Sequence, residues 1–235
     1  MPEIRTMIKR ILTLLLIIFI ICAPALAGEL DRPSEWAVPV QLSGVGNLYK
    51  INDNLYRSAQ PTKQGMKNLK KLGIKTIINL RAFHSDTDEI RGTGLLDEEL
   101  SVKTWHIEDE DVIRVLRIIR KKESGPFLIH CQHGADRTGV MSAMYRIVEQ
   151  GWSKDEAIRE MVYGGYGFHA IWSNIIHYVK NVDIGKIKKN KLVRQGELNK
   201  TAALHKLEAE GTGEKIAVKL RKVALTVLMV AFLGP

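Results

Sequence analysis

The most constraining feature of this sequence is a seven-residue segment, Cys131–Arg137, that joins a predicted buried strand to a predicted helix. Gly125-Pro126 ends the preceding helical pattern, and the short apolar run Phe127–His130 is typical of a buried strand. A helix is predicted to begin near Thr138. Because strands and helices alternate through the chain, the pattern favours an α/β sheet with helices on both faces.

The chemistry of the segment points to an anion site. Seven residues between a strand and a helix can curl so that backbone N–H groups point inward, and the helix N-terminus adds its positive end. Gly134 supplies the backbone freedom that such a curl needs. Arg137 can hold two phosphate oxygens through its planar fork. In the same positive field, Cys131 is expected to be a thiolate near neutral pH and therefore an activated nucleophile.

The run His130–Gly139 reads His-Cys, five residues, Arg-Thr-Gly and resembles the signature of the protein tyrosine phosphatase superfamily. Leu55–Pro61 is similar to an early segment of its dual-specificity-like branch, and the resemblance covers about residues 47–180. It implies a three-layer α/β/α sandwich with a mostly parallel central sheet. It also implies hydrolysis of phosphomonoesters in two steps through a phospho-cysteine, with no metal or other cofactor.

The same resemblance implies roles for individual residues. Cys131 is the nucleophile, and Arg137 clamps the transferred phosphoryl group. The Thr138 hydroxyl bonds the Cys131 sulfur and eases its departure in the second step, although a hydroxyl at this position is also typical of a helix N-cap. The other loop residues are expected to bind the phosphate: Gln132, His133, Gly134, Ala135 and Asp136.

A proton donor for the leaving group is expected on a mobile loop upstream of the cysteine. Trp105–Asp109 lies in that region, and we predict Asp109 as the donor, with Asp111 and then Glu110 as alternatives. Acids in a first helical turn are also favoured by the helix dipole, which gives them a structural explanation. Three histidines are candidates for the rim of the site: His84, His106 and His169.

Asp136 carries information about the substrate. An acid beside Arg137 should disfavour highly anionic ligands, so a phosphorylated protein or a small phosphomonoester is the expected partner. Two alternatives to a protein phosphatase stay open: a phytase-like small-molecule phosphatase and a phosphate-binding module without turnover. A zinc site at His130, Cys131 and His133 is disfavoured, because the sequence has no matching second cluster.

The N-terminus is typical of a secretory signal peptide. Basic residues precede the apolar run Ile11–Cys22, and Ala23–Ala27 offers a cleavage site after Ala27. The apolar run is shorter than the roughly twenty residues of a membrane span. Cleavage would remove Cys22 and leave Cys131 as the one thiol. We therefore expect an exported protein, periplasmic or extracellular.

Four segments are predicted: a signal peptide (1–27), a lead (28–46), a phosphatase domain (47–182) and a basic extension (183–235). Of the formal net charge of +9, residues 1–27 contribute +2 and residues 181–235 contribute +6, so residues 28–180 carry only +1. This charge gives no reason to expect a nucleic-acid partner. Val223–Leu233 is apolar and follows basic residues, so it is expected to bind a membrane surface or to pack on the domain.

The remaining pattern predicts ordinary elements. Asn52–Asn54 is a turn signal for a hairpin, and Thr62 is expected to cap a helix over Lys63–Leu72 that ends at Gly73. Residues 81–99 are predicted to be a long loop. The other predicted elements are strands Ile74–Leu80 and Val102–Ile107 and helices Val112–Lys122, 138–150, 153–163 and 169–180.

Overall fold

The computed structural model of the protein describes residues 32–190. The predicted signal peptide and most of the predicted C-terminal extension lie outside the described residues. Within the described part, no helix is long and apolar enough to cross a membrane. The chain divides into two compact units at Val38. In the first unit, the guanidinium of Arg32 donates to the Ala37 carbonyl at 2.7 Å and lies 5.5 Å from the Trp36 ring centroid.

In the part of the chain that the structure describes, six strands form one mixed, mostly parallel sheet in the order β1-β2-β3-β6-β4-β5. Strand β3 is antiparallel to β2 and parallel to β6, and β4 is parallel to both β6 and β5. The strands are β1 (Val38–Pro39), β2 (Tyr49–Asn52), β3 (Leu55–Ser58), β4 (Thr76–Arg81), β5 (Leu96–Val102) and β6 (Phe127–His130).

Within residues 32–190, six named helices, connected by loops, complete the α/β arrangement predicted from the sequence. A short 3₁₀ turn, Lys122–Ser124, precedes β6, and residues 184–190 are also helical. The helices are α1 (Lys63–Leu72), α2 (Thr87–Ile90), α3 (Asp109–Ile119), α4 (Asp136–Glu149), α5 (Lys154–Tyr163) and α6 (Ser173–Asn181).

The elements that flank the Cys131 loop belong to the core. All four residues of β6 are buried, and so are the first five residues of β4 beside it. Helix α4 is buried over nearly its whole length and contacts α3, α5 and α6. Its sequence lacks a continuous polar face, as expected for a helix enclosed on all sides. The loop therefore joins two elements that the core holds fixed.

The local predictions for β2, β3 and α1 are confirmed. Strands β2 and β3 form the predicted hairpin, whose turn is closed by the Asn52 side chain accepting from the Asn54 N–H at 2.9 Å. The Thr62 hydroxyl accepts from the Gly65 N–H at 3.1 Å and caps α1. Gly73 ends this helix with a φ of 100°, a conformation that favours glycine.

The prediction of a strand over Val102–Ile107 and a loop before it is wrong. Strand β5 covers Leu96–Val102, and α2 lies in the segment predicted to be a loop. β5 is an edge strand with three consecutive acids, which suit a solvent-facing edge but resemble a loop in the sequence. The chain then turns between Lys103 and His106, where the His106 N–H donates to the Lys103 carbonyl at 3.0 Å.

Residues 184–190 pack against the phosphatase domain that was predicted to end at residue 182. Ile187 is fully buried, and the guanidinium of Arg117 on α3 donates to the Asn190 carbonyl at 2.7 Å. The packed part of the chain therefore continues at least to residue 190.

Candidate active site

The seven-residue loop encloses its cysteine. Cys131 directly follows β6 and is 2% exposed, and Ala135, just before α4, is also buried. Gln132 and His133, on the opposite side of the loop, are exposed. Gly134 has a φ of 70°, so the tight curl predicted from the sequence is present at this residue.

The end of β3 forms the floor under the loop. The Gln60 N–H donates to the Gln132 carbonyl at 3.2 Å, and Nη2 of Arg57 donates to the Gly134 carbonyl at 2.7 Å. A Cβ atom at Gly134 would lie 2.5 Å from the carbonyl oxygen of Ser58. The absence of a side chain at Gly134 thus allows the loop to rest directly on the β3 backbone.

Asn47 ties the loop to the glycine-rich stretch 164–168. Its side-chain amide donates to the His133 carbonyl at 2.8 Å and to the Tyr166 carbonyl at 2.9 Å. The Tyr166 ring also meets the Tyr49 ring edge-on, with the centroids 4.7 Å apart. The stretch 164–168 therefore borders the loop.

Arg137 and Thr138 begin α4 as neighbours with different surroundings. Arg137 is partly exposed, and its Nη1 donates to the Leu80 carbonyl at 3.5 Å. Thr138 is fully buried, and its hydroxyl has no hydrogen-bond partner within the described part of the chain. A second arginine, Arg81, donates to the side-chain oxygens of Gln60 at 3.0 Å and Gln132 at 3.3 Å. The loop therefore has cationic groups on its exposed side.

His130 pairs with a residue from a distant loop. Its Nε2 lies 2.7 Å from Oδ2 of Asp86, and its Nδ1 lies 3.4 Å from the Cys131 carbonyl oxygen. The Gln60 amide donates to Oδ1 of Asp86 at 2.8 Å. Burial by itself would raise the pKa of Asp86. The hydrogen bonds to His130 and Gln60 and the charge of His130 outweigh this effect, so the pKa of Asp86 is lowered. The residue before Cys131 is thus held by a buried carboxylate.

Asp136 turns to the loop that follows α5. It is 7% exposed, and it accepts from the His169 N–H at 2.9 Å while its Oδ2 lies 2.8 Å from His169 Nδ1. The His169 ring also contacts the His133 ring, with the centroids 5.5 Å apart. Of the three candidate rim histidines, His169 therefore lies beside the loop Cys131–Arg137.

The three candidate acids occupy the first turn of α3. Asp109 accepts from the Tyr178 hydroxyl at 3.1 Å and pairs with Nζ of Lys186 at 2.7 Å. The hydrogen bond that Lys186 donates to Asp109 raises the pKa of Lys186. Asp111 accepts from the Glu108 N–H at 3.2 Å, and burial raises the pKa of Asp111. Glu110 lies 3.7 Å from Arg117.

The other two histidine candidates have different partners. His106 pairs with Glu108 at 2.9 Å in the segment between β5 and α3. His84 lies 3.3 Å from Asp86. Within the described residues, His84, Asp86 and Glu89 have ligand atoms within 4.8 Å of one another, a composition compatible with a metal ion. Asp86 in this group is already hydrogen-bonded to His130 and Gln60.

Comparison with known proteins agrees with this geometry. Residues 39–177 match a family described as DSP-PTPase phosphatase fused to NAD+ kinase. The dual specificity protein phosphatase TpbA of Pseudomonas aeruginosa is 37% identical over 72% of this chain and 78% of its own length. The chain belongs to the dual-specificity-type protein tyrosine phosphatase family. It is a cysteine-dependent phosphomonoester hydrolase, as the signature around Cys131 predicted.

Solved structures support the same fold. The crystal structure of TpbA superposes with a TM-score of 0.63 at 34% identity, covering 69% of this chain and 99% of that one. A cysteine-to-serine variant of TpbA in complex with phosphotyrosine superposes equally well, at 33% identity. The catalytic domain of the Saccharomyces cerevisiae PP-IP phosphatase SIW14, at 20% identity and a TM-score of 0.56, shares the fold. The predicted three-layer sandwich with a mostly parallel sheet is confirmed.

Among the residues at the site that were not predicted to belong to it are Asn47, Arg57 and Asp86. Arg57 lies within Leu55–Pro61, the segment that resembles the dual-specificity-like branch, so the sequence did carry a signal that this residue belongs to the site. Asn47 and Asp86 lie in connecting segments, and their spacing to the cysteine carries no pattern. Only the tertiary contacts bring them to the loop.

Proposed function

We propose that this phosphatase hydrolyses phosphotyrosine in proteins. The observation that carries the proposal is the buried Cys131 at the base of a loop that curls onto β3 and ends in Arg137. The thiolate attacks phosphorus as the P–O bond to the leaving group breaks, which gives a phospho-cysteine. Water then attacks this intermediate, the S–P bond breaks, and inorganic phosphate leaves.

Two neighbours are assigned to these steps. Arg137 holds two oxygens of the phosphoryl group throughout. The buried Thr138 hydroxyl, which lacks a partner within the described part of the chain, donates to the Cys131 sulfur as the S–P bond breaks. Its buried position without a partner supports this assignment, because buried polar groups are normally hydrogen-bonded.

The charges around the loop support a monoester over a polyphosphate. Arg137 is the one Lys or Arg residue among the seven loop residues, and Asp136 adds a buried carboxylate beside it. A highly anionic ligand would meet a single cationic side chain of this loop, Arg137, and would be repelled by the negative charge of Asp136. The complex of TpbA with phosphotyrosine provides a relative with a substrate of the proposed class.

We further propose Asp109 as the proton donor to the leaving group. Asp109 begins α3, directly after the segment that follows β5, in the region where the family places its acid. Its carboxylate is held by Tyr178 and Lys186. The role therefore requires the carboxylate to leave these partners when substrate binds.

Export is a separate proposal, supported by the basic residues, apolar run and cleavage site of residues 1–27. The mature protein would begin at Gly28 and act in the periplasm or outside the cell. The extension 183–235, with its apolar end, is proposed to touch a membrane surface. Mass spectrometry of the secreted chain and sedimentation with anionic vesicles test the two statements.

The test of function compares a phosphotyrosyl peptide with phytate as substrates for the purified protein, in the presence of EDTA between pH 5 and 8. We expect release of phosphate from the peptide, much slower release from phytate, and loss of activity in Cys131→Ser. Asp109→Asn is expected to lower turnover about 10²-fold and to flatten the alkaline limb of the pH profile. Lys186→Gln serves as its matched control, because it removes a partner of Asp109 and keeps the carboxylate.

Each alternative has its own outcome. Faster turnover of phytate than of the peptide would identify a small-molecule phosphatase. Binding of the peptide without turnover or a trapped phospho-cysteine would identify a phosphate-binding module. An unchanged pH profile in Asp109→Asn would move the donor role to Asp111 or Glu110.

A further inference from the structure

A buried arginine, Arg57, lies beneath the loop Cys131–Arg137. Arg57, in β3, is 1% exposed and lies opposite Ile129 of β6 in the parallel register. Its Nη2 donates to the Gly134 carbonyl at 2.7 Å, and its guanidinium lies 3.6 Å from the centroid of the Tyr166 ring. Its Nε has no hydrogen-bond partner within the described residues. The side chain is thus enclosed between a strand, an aromatic ring and the loop.

The charge of Arg57 is not neutralised by a salt bridge in the part of the chain that the structure describes. Buried charges are normally paired, because desolvation is costly. Burial lowers the pKa of Arg57, and Tyr166, Glu160 and Cys131 act in the opposite direction. A guanidinium nevertheless keeps its proton. A positive charge therefore remains under the loop that carries the nucleophile.

Arg146 on α4 provides an internal comparison. It is also buried, at 3% exposure, and lies 4.2 Å from the Trp152 ring centroid. Unlike Arg57, it has a carboxylate partner, since Glu160 accepts from its Nε at 2.8 Å and from its Nη2 at 2.9 Å. Two buried arginines on aromatic rings thus differ in their partners: Arg146 completes a salt bridge, and Arg57 binds the catalytic loop.

The bond to Gly134 has a consequence for the loop. The Gly134 carbonyl and the Ala135 N–H belong to one trans peptide unit, in which the two groups point in opposite directions. Because the Gly134 carbonyl points to Arg57, the Ala135 N–H of the same peptide points away from Arg57. A charged donor on the carbonyl also polarises this peptide and strengthens its N–H as a donor.

We propose that Arg57 is a positioning residue for catalysis, which turns the Gly134–Ala135 peptide toward the bound phosphate and supplies a second positive charge beneath Cys131. It is distinct from Arg137, which belongs to the loop itself and contacts the phosphoryl group. The inference rests on the phosphatase function proposed above. It assigns a role to the Leu55–Pro61 segment, in which Arg57 is the charged residue.

The test measures the loop without requiring turnover. Purified protein is alkylated with iodoacetate at pH 6.5, with and without inorganic phosphate, and the peptide that carries Cys131 is quantified by mass spectrometry. The matched variants are Arg57→Lys, which keeps the charge, and Arg57→Gln, which keeps a donor for Gly134 and removes the charge. Arg146→Gln is the control for loss of a buried arginine. Thermal melts confirm that each variant is folded at the assay temperature.

We expect Arg57→Gln to lower both the alkylation rate and the affinity for phosphate about tenfold, because the positive charge of Arg57 is lost and the Gly134 carbonyl keeps only a neutral donor. In Arg57→Lys, the alkylation rate and the affinity for phosphate should stay within about threefold of the wild-type values. Arg146→Gln should have a lower melting temperature, with the alkylation rate and the phosphate affinity unchanged. The inference would be overturned if Arg57→Lys and Arg57→Gln lost reactivity and phosphate affinity to the same extent, or if Arg57→Gln kept the wild-type values. The Lys and Gln comparison decides the question even if Arg146→Gln does not fold.

The outcome is separate from that of the proposed function. Phosphate protects Cys131 from alkylation in a site that binds phosphate without turning it over. If the wild type hydrolyses no phosphotyrosyl peptide but shows phosphate protection that depends on Arg57, the inference stands and the proposed substrate falls.

Discussion

Nε2 of His130 and Oδ2 of Asp86 lie 2.7 Å apart, and both side chains are completely buried. His130 ends β6, directly before the nucleophile, and Asp86 comes from the connection between β4 and β5. The hydrogen bond therefore joins the start of the catalytic loop to a segment 44 residues away. This contact couples the stability of the fold to the position of Cys131.

Asp86→Asn is expected to lower the free energy of unfolding by about 1.5–3 kcal/mol at pH 7, since a buried hydrogen bond to a charged group is lost. The pKa of Asp86 is lowered from 3.8 in the folded protein. Its contribution is therefore complete above 3.8 and disappears as the pH falls through the folded value. Urea unfolding of wild type and variant from pH 3 to pH 7 measures this. A stability difference that does not shrink toward pH 3 would contradict it.

Asp97→Asn is expected to act in the opposite direction. Burial raises the pKa of Asp97 to about 6, and the charges of Asp86 and Glu99 add to the rise. The charged form is thus disfavoured in the folded protein, so its cost builds up as the pH rises from 3.8, where the unfolded chain ionises, and is complete above about 6. We expect the variant to be more stable than the wild type at pH 7.5 and about equally stable at pH 4. The gain should be about 0.5 kcal/mol or less, because Asp97 is exposed and solvent screens its charge. Thermal melts at the two pH values decide, and a gain that is largest at pH 4 would count against this assignment.

Gly134→Ala is expected to abolish phosphatase activity. A Cβ atom would lie 2.5 Å from the Ser58 carbonyl oxygen, and the φ of 70° adds roughly 1–3 kcal/mol of strain. Gly73→Ala is the matched control, because its φ is 100° and no atom lies within 4 Å of its added Cβ. The control should be destabilised by a similar strain energy and keep the wild-type kcat. Activity in Gly134→Ala near the wild-type level would show that the loop does not rest on β3 as described.

Thr138→Ala is expected to slow breakdown of the phospho-cysteine about tenfold, because the departing sulfur loses a donor. Rapid mixing with p-nitrophenyl phosphate should then show a burst of nitrophenol followed by slow turnover, and Thr138→Ser should restore the wild-type trace. Ser142→Ala is the control, since the buried Ser142 hydroxyl donates only a helix bond to the Thr138 carbonyl at 2.7 Å. The same burst in Ser142→Ala would assign the effect to packing of α4.

Much of the fold could be predicted because its signals are local. The apolar run of β6, the turn at Asn52–Asn54 and the Thr62 and Gly73 caps of α1 each depend on residues within one turn or strand. β5 was misplaced because Asp97, Glu98 and Glu99 suit an exposed sheet edge, and a sequence does not show where the edge of the sheet lies. Charged edge strands and loops share a composition.

The sequence by itself determined the chemistry of the site. Cys131, Arg137 and Thr138 are brought together by one strand-loop-helix connection, so their spacing is enough to identify them. The tertiary structure decided what surrounds that connection. Arg57 reaches Gly134 across 77 residues, and Asp86 reaches His130 across 44, through the parallel pairing of β3, β6 and β4. Contacts of this range depend on strand order, which local spacing does not encode, and they bring one buried charged side chain to His130, before Cys131, and another to Gly134, after it.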